Sequence, residues 1–277
     1  MGGAVMNDFA DWIGRSEEAG EAVSEGLVER YRATLDSNLW TGGEGAPLGI
    51  HWCLAPPAVP PAMLGPDGHP RRIDDPSSFL PPVPLPSRMW AGGEIRFHAP
   101  IPVGAMIMRR SRIASISAKE GKSGPLVFVA VEHSYDARAE TLVSERQDIV
   151  YKKAPEPGQA PAYAPDADMP EDGIRIGPVT MFRYSALTFN GHRIHYDADY
   201  SREVEFYPAC VVHGPLQATL LMNRAAQILG RMPRVFSYRG LAPCFVNEPL
   251  RLTGGVEPGS LQAEGPAGRI TMSARFE

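Results

Sequence analysis

The sequence predicts an α+β protein built from two modules, each a long helix laid across an antiparallel sheet. Three observations predict it. Strand-like runs cluster at the end of each half, a well-punctuated apolar helix precedes the second cluster, and a stretch poor in large apolar side chains separates the halves. At 277 residues the chain is long for one small domain and suits two modules of roughly 100 to 150 residues.

In chain order, Val23, Leu27, Tyr31 and Leu35 recur four apart among Glu and Arg, so residues 8–36 read as an opening amphipathic helix. Eleven prolines then fall within the 31 residues from Pro56 to Pro86. Each removes a donor and fixes φ, so residues 56–86 read as a long ordered loop or flap that hides the first module's central helix. Four strand-like runs follow, "GEIRFHAPI", "MIMRRSRIASISAK", "PLVFVAVEHSYDA" and "LVSERQDIVYKK", the middle two joined through the turn-rich "EGKSGP". Residues 154–178 are rich in Pro, Ala, Gly and Asp and read as a linker. The expected modules are therefore 1–153 and 179–277.

In the second module, "HGPLQATLLMNRAAQILG" places Leu216, Leu220, Leu221, Ala225, Ile228 and Leu229 at near-helical spacing, with Pro215 in the first turn and Gly230 at the end. The runs "RVFSYRGLAP", "EPLRLTGGVE", "SLQAEG" and "RITMSARFE" come next. The last alternates Ile270, Met272, Ala274 and Phe276 inward with Arg269, Thr271, Ser273 and Arg275 outward. Helix followed by meander is a hot-dog-like layer, and two such modules make a double hot dog.

Bulk properties exclude several classes. Hydrophobic residues are 43% and charged residues 21%, and apolar runs such as "LVFVAV" fall far short of the roughly 20 residues of a membrane span. A net charge of −5 argues against a nucleic-acid footprint. The acidic start, without a basic region before an apolar stretch, points to the cytoplasm. Cys53, Cys210 and Cys244 are widely spaced and form no CxxC pair, as expected of reduced, space-filling thiols.

The chemistry concentrates in "YSALTFNGHRIHYD", residues 184–197, and "VVHGPLQATLL", which begins at Val211. The first stretch resembles the signature of the MaoC-like hydratase and dehydratase superfamily, with Tyr184, Ser185, Thr188 and His195 at the family's spacing. Asn190 stands where that family has aspartate, and His192 where it has asparagine. The second resembles the family's His-Gly helix opening, carried by His213 and Gly214. "FNGHRIHYD", the "RMWAGG" of residues 88–93 and the chain length resemble the double hot-dog branch of mesaconyl-C4-CoA hydratases and hydroxyacyl-thioester dehydratases. The resemblance implies reversible hydration of a 2-enoyl thioester, with acyl-CoA as partner and no dissociable cofactor. It also implies contacts to substrate from Tyr184, Thr188, His192 and His213.

The residue types suit that reaction on their own terms. Adding water across an α,β-unsaturated thioester needs a base for the water, a group that orients it, and donors for the enolate oxygen. His195 exchanges protons near neutrality and suits the first task. Asn190 orients without ionising, so His195 acts as the sole base or His192 or Asp197 supplies a second. Gly214 offers an N–H at a helix N-terminus for the enolate oxygen. A dicarboxylic acyl chain would need a cation, for which Arg193 is the first candidate and Arg183 and Arg239 the next. The alternative for Arg193 is a structural ion pair with Asp197 or Asp199.

Other readings stay open beside this one. Each histidine could be a satisfied structural residue, and "HRIH" has metal-like spacing, although a full ligand set is not evident and no metal is expected. A carrier-protein dehydratase, a hot-dog thioesterase and a silent acyl-binding subunit are the competing functions. Hot-dog sheets pair across edges, so a homodimer is expected.

Overall fold

A computed structural model describes residues 9–75, 78–121 and 124–277. The start of the chain and the centre of the turn between the second and third strand-like runs, Lys122 and Ser123, lie outside the described residues. Ten strands form one sheet in the order β1-β3-β4-β5-β2-β7-β10-β9-β8-β6. The first half contributes β1 (Ser16–Ala22), α1 (Glu25–Leu35), β2 (Ser87–Phe97), β3 (Met106–Gly121), β4 (Gly124–Ala137) and β5 (Glu140–Lys152). The second contributes β6 (Ile174–Arg175), α2 (Pro178–Leu187), α3 (Ala198–Glu203), α4 (Gly214–Leu229), β7 (Val235–Gly240), β8 (Pro249–Gly254), β9 (Ser260–Glu264) and β10 (Ile270–Phe276).

The two half-sheets join where β2 pairs antiparallel with β7, with Gly93 opposite Tyr238 and Ile95 opposite Phe236. Helix α4 runs beneath the second half-sheet, and most of its residues are buried. Its apolar character nearly all round follows from that position, because it also meets the first half. Asn223 on α4 accepts from the Trp40 N–H at 3.0 Å, and Thr219 lies beside Tyr31 and Gly49. Gly230 ends the helix in the left-handed region, at φ 66°, where glycine has no Cβ to clash.

Two expectations about elements are corrected. Residues 16–22 form an edge strand, and α1 begins only at Glu25, capped by Ser24, whose hydroxyl accepts from Leu27 N–H. The strand wins because its adjacent acids, one on each face, meet β3 arginines: Glu17 pairs with Arg109 at 3.0 Å and Glu18 with Arg110 at 2.9 Å. Thr271 is buried, because the β10–β9 register shifts between Ile270 and Met272 and turns it inward. Its hydroxyl meets Gln217 of α4 at 2.7 Å.

The described part of the proline-rich segment runs as a flap with a short 3-10 turn at Pro61–Met63, preceded by another at Ile50–Cys53; Pro76 and Ser77 lie outside the described residues. Val83 and Leu85 anchor its far end in a second, smaller core with Trp12, Ile113, Val127 and Tyr151. No helix among the described residues is long and apolar enough to cross a membrane. Cys53, Cys210 and Cys244 are free and buried.

Candidate active site

The motif folds as helix α2, a tight turn and a 3-10 turn at Arg193–His195. Tyr184 lies on the buried side of α2, with its hydroxyl 3.4 Å from Thr219 Oγ1 of α4 and its ring 5.2 Å from that of His213. Thr188 caps α2 by donating to the Tyr184 carbonyl at 2.8 Å. Asn190 closes the turn: its N–H reaches the Ser185 carbonyl, and its Oδ1 accepts from the His192 N–H at 2.9 Å. Tyr184, Thr188 and Asn190 thus set the path of the backbone that delivers the histidines.

His195 is buried, and its Nδ1 lies 2.7 Å from the Val211 carbonyl. A carbonyl only accepts, so Nδ1 carries the proton and Nε2 presents a lone pair. Nε2 has no hydrogen-bond partner among the described residues. Val211 is itself fixed by its N–H to Ile194, and its neighbour Val212 donates to Cys244. Burial pushes the His195 pKa down to about 4, which keeps the ring neutral at physiological pH. The His213 ring stacks on it at 3.8 Å and 21°, while His213 Nε2 meets Ser185 Oγ at 2.8 Å.

Gly214 opens α4 directly after His213. A Cβ here would meet Trp90 Cε3 at 2.8 Å, so the indole requires a glycine. Trp90 comes from the "RMWAGG" strand β2 and stacks on Tyr238 at 4.3 Å. The Gly214 N–H belongs to the first turn of the helix and makes no hydrogen bond among the described residues. The imidazole with a bare lone pair thus stacks on His213, the residue before the helix-start N–H of Gly214.

The flap supplies residues that the sequence did not single out. Asp67 Oδ2 lies 3.1 Å from His69 Nδ1, and its Oδ1 accepts from the His69 N–H. The His69 ring packs on His192 at 4.1 Å, and His192 meets His195 edge-on at 5.4 Å. The four rings run in the order His69, His192, His195, His213. Gly68, at φ 86°, docks so closely on the Gly191 carbonyl that no side chain could fit. Burial lowers His69 to about 4 and His192 to about 2, so both are neutral. Asp67 and His69 read as solvated turn residues within a proline-rich stretch, and only the docking of residues 65–70 against the motif reveals them.

Asp67, His69 and His192 bring donor atoms within 4.8 Å of one another. The Asp67–His69 hydrogen bond already satisfies the carboxylate and one ring nitrogen, so we assign no metal there. Among the described residues, His195 does not join that cluster.

Arg193 takes the structural alternative, the ion pair with Asp197. Arg193 gives Nε and Nη2 to Asp197 at 3.0 and 2.7 Å, gives Nη1 to the Pro66 carbonyl, and lies over the Tyr200 ring at 4.3 Å. Its backbone N–H also holds the Asp67 carbonyl. It ties the flap to the motif and leaves no fork for a ligand carboxylate. Arg183 is exposed on α2 and donates to the Ala33 carbonyl. Arg239 is exposed on the face of β7 opposite Tyr238, away from Trp90. Neither joins the histidine array.

The model of the hydroxyacyl-thioester dehydratase type 2 family matches residues 49–246. The chain belongs to this family. It is similar to a mesaconyl-C(4)-CoA hydratase of Chloroflexus aurantiacus, 39% identical over 277 residues and covering 98% of each chain. It is also similar to a mitochondrial hydroxyacyl-thioester dehydratase type 2 of Schizosaccharomyces pombe, 25% identical over 83% of this chain and 87% of that one. Among solved structures, HtdX of Mycobacterium tuberculosis matches with a TM-score of 0.68 at 19% identity, over 95% of this chain and 99% of that one. A second M. tuberculosis protein, described as having a double hotdog fold, matches at 0.54 and 14% identity over 95% of both. These two show the fold, a double hot dog.

Proposed function

We propose that this member of the family catalyses the reversible hydration of 2-enoyl-CoA thioesters, and that a branched C4-dicarboxylic enoyl-CoA of the mesaconyl-C4 type is its substrate. The hydro-lyase assignment rests on the family and on the 39% identical hydratase. The observation that carries the chemistry is the tautomer of His195, whose Nδ1 is fixed on Val211 and whose bare Nε2 is left for water.

In the hydration direction, Nε2 accepts a proton as the water oxygen bonds to C3. The C2–C3 π electrons move toward the thioester carbonyl, where the Gly214 N–H and the α4 dipole stabilise the enolate oxygen. His195 then returns the proton to C2 and is neutral again. Because one imidazole handles both protons, hydrogen and hydroxyl add to the same face. Asn190 holds His192 in place beside the base and titrates in neither direction.

The test supplies mesaconyl-C4-CoA and crotonyl-CoA and follows loss of enoyl absorbance and release of free thiol separately. Loss of absorbance without thiol release, faster with the dicarboxylic substrate, supports the proposal. Thiol release in its place would make the protein a thioesterase. Hydration confined to carrier-protein thioesters would move the substrate away from coenzyme A.

A further inference from the structure

A dicarboxylic acyl chain carries a second carboxylate into a site walled by neutral, buried rings. An anion there without a partner would be strongly disfavoured, so the protein must supply a cation. Arg193, Arg183 and Arg239 are committed elsewhere or face away. The remaining question is which guanidinium borders the histidine array.

Arg88 does. It lies on β2 two residues before Trp90, and strand alternation puts both side chains on the same face. Trp90 covers Gly214, so this is the face that carries the proposed enolate donor. Across the ladder, Arg88 pairs directly with Tyr151 of β5. Its charge is felt by His69 and His192, where it disfavours the imidazolium forms, and by the Tyr151 phenol. Arg88 forms no ion pair with a carboxylate among the described residues.

Beside it, Tyr151 is completely buried, and its hydroxyl has the Arg88 guanidinium as side-chain hydrogen-bond partner. The hydroxyl helps fix that guanidinium, which keeps further N–H groups for a ligand. Arg72, 5.1 Å over the same ring, gives its guanidinium to the carbonyls of Val83, Leu85 and Pro86. Arg72 therefore braces the flap, and Arg88 is the cation left for a ligand. The nearby Asp67 carboxylate is turned to the His69 ring and backbone.

We propose that Arg88, steadied by the Tyr151 hydroxyl beside it, anchors the second carboxylate of a dicarboxylic acyl thioester. The inference rests on the hydratase reading above and specifies its substrate class.

The experiment compares kcat/KM for mesaconyl-C4-CoA and crotonyl-CoA in wild type, Arg88→Met, Arg88→Lys and Tyr151→Phe, with thermal unfolding as a check on folding. Arg88→Met is expected to lower the dicarboxylic value roughly 30- to 1000-fold, the range for losing one partner of a desolvated charge pair, and to leave crotonyl-CoA within about threefold. Arg88→Lys should recover part of the dicarboxylic rate, and Tyr151→Phe should lose several-fold of it alone. An equal fall with both substrates in well-folded Arg88→Met, or in Arg88→Lys if the Met variant does not fold, overturns the anchor. Wild type that hydrates crotonyl-CoA but not mesaconyl-C4-CoA overturns the anchor and leaves the hydratase standing. Wild type that hydrates neither overturns the hydratase reading itself.

Discussion

Two of the buried polar clusters among the described residues, one around His195 and one around Glu145, arrange their hydrogen bonds in opposite ways. In the second half, His195 has one ring nitrogen tied to a carbonyl and the other bare. In the first half, Glu145 is fully enclosed, and the Trp52 indole N–H and the Tyr238 hydroxyl both donate to it at 3.0 Å. His51 Nε2 stands 3.9 Å from Glu145, but burial pushes His51 down to about 3, so it is neutral and no ion pair forms. Glu145 is pushed up to about 7 by burial. Burial alone therefore does not mark a catalytic group. What separates the two carboxyl- and imidazole-bearing groups is that His195 keeps a lone pair toward the proposed substrate, whereas the Glu145 carboxylate is taken up by protein donors.

If that distinction is right, the largest effect belongs to His195. His195→Ala is expected to lower kcat by at least about a thousandfold, as for loss of a general base, while thioester binding and unfolding temperature stay near wild type. The pH profile sharpens the test. A neutral base with a pKa near 4 keeps kcat/KM flat from neutrality down to about pH 5, with the acid limb below that. An acid limb centred near 6.5 would mean that the working imidazole is not held as this burial requires.

Gly214→Ala should come next. Its methyl would meet the Trp90 indole at 2.8 Å and shift either the ring or the start of α4. Displacing the proposed enolate donor by a few tenths of an ångström should lower kcat by roughly 100-fold, on the scale of losing one oxyanion-hole donor, with a smaller change in KM. Enlarging Gly214 while shrinking Trp90 to Phe should recover part of the rate if the clash is the cause.

Asn190 separates turn-holding from proton transfer. Its Oδ1 receives the His192 N–H, a role that an aspartate oxygen can also fill. Asn190→Asp is expected to remain within about fivefold of wild type and Asn190→Ala to fall by roughly tenfold or more, because the loop carrying His192 loosens. Equal activity in all three would remove the residue from the site's architecture.

What was legible in the sequence follows the same division. The α4 helix, the strands of both meanders and the His195–His213–Gly214 group are local patterns, in which apolar period, Pro215 and Gly230, and motif spacing all lie within a few residues. The places of Asp67 and His69 depend on partners more than 120 residues away, and a polar residue in a proline-rich stretch carries no sign of what it will pack against. For Arg193 the sequence left two readings open, a ligand cation or an ion pair with Asp197 or Asp199; Asp197, four residues on, takes the guanidinium, and only the Pro66 carbonyl of the flap was out of reach of a local pattern. The edge strand at residues 16–22 was hidden because its small and acidic side chains become a pattern only opposite the arginines of β3.

The smallest expected effect on catalysis, and the one that tests the enclosed side of the comparison, is at Glu145. The protonated carboxyl is favoured in the folded protein, whose pKa of about 7 lies above the ordinary 4.5. The folded state therefore binds more protons than the unfolded chain between these values, and stability falls as pH rises through that window. A shift of this size corresponds to up to about 3 kcal/mol, at about 1.4 kcal/mol per pH unit. Glu145→Gln imitates the neutral acid, keeps an oxygen for Trp52 and Tyr238, and turns an N–H toward the unpartnered Nε2 of His51. Urea unfolding of variant and wild type at pH 5 and pH 8 should show the difference moving in the variant's favour by 1 to 3 kcal/mol, on the order of that linkage, with kcat nearly unchanged. A difference that stays constant with pH would show that Glu145 does not titrate in the core. A large loss of kcat in a stable variant would place the carboxyl in the chemistry and erase the contrast with His195.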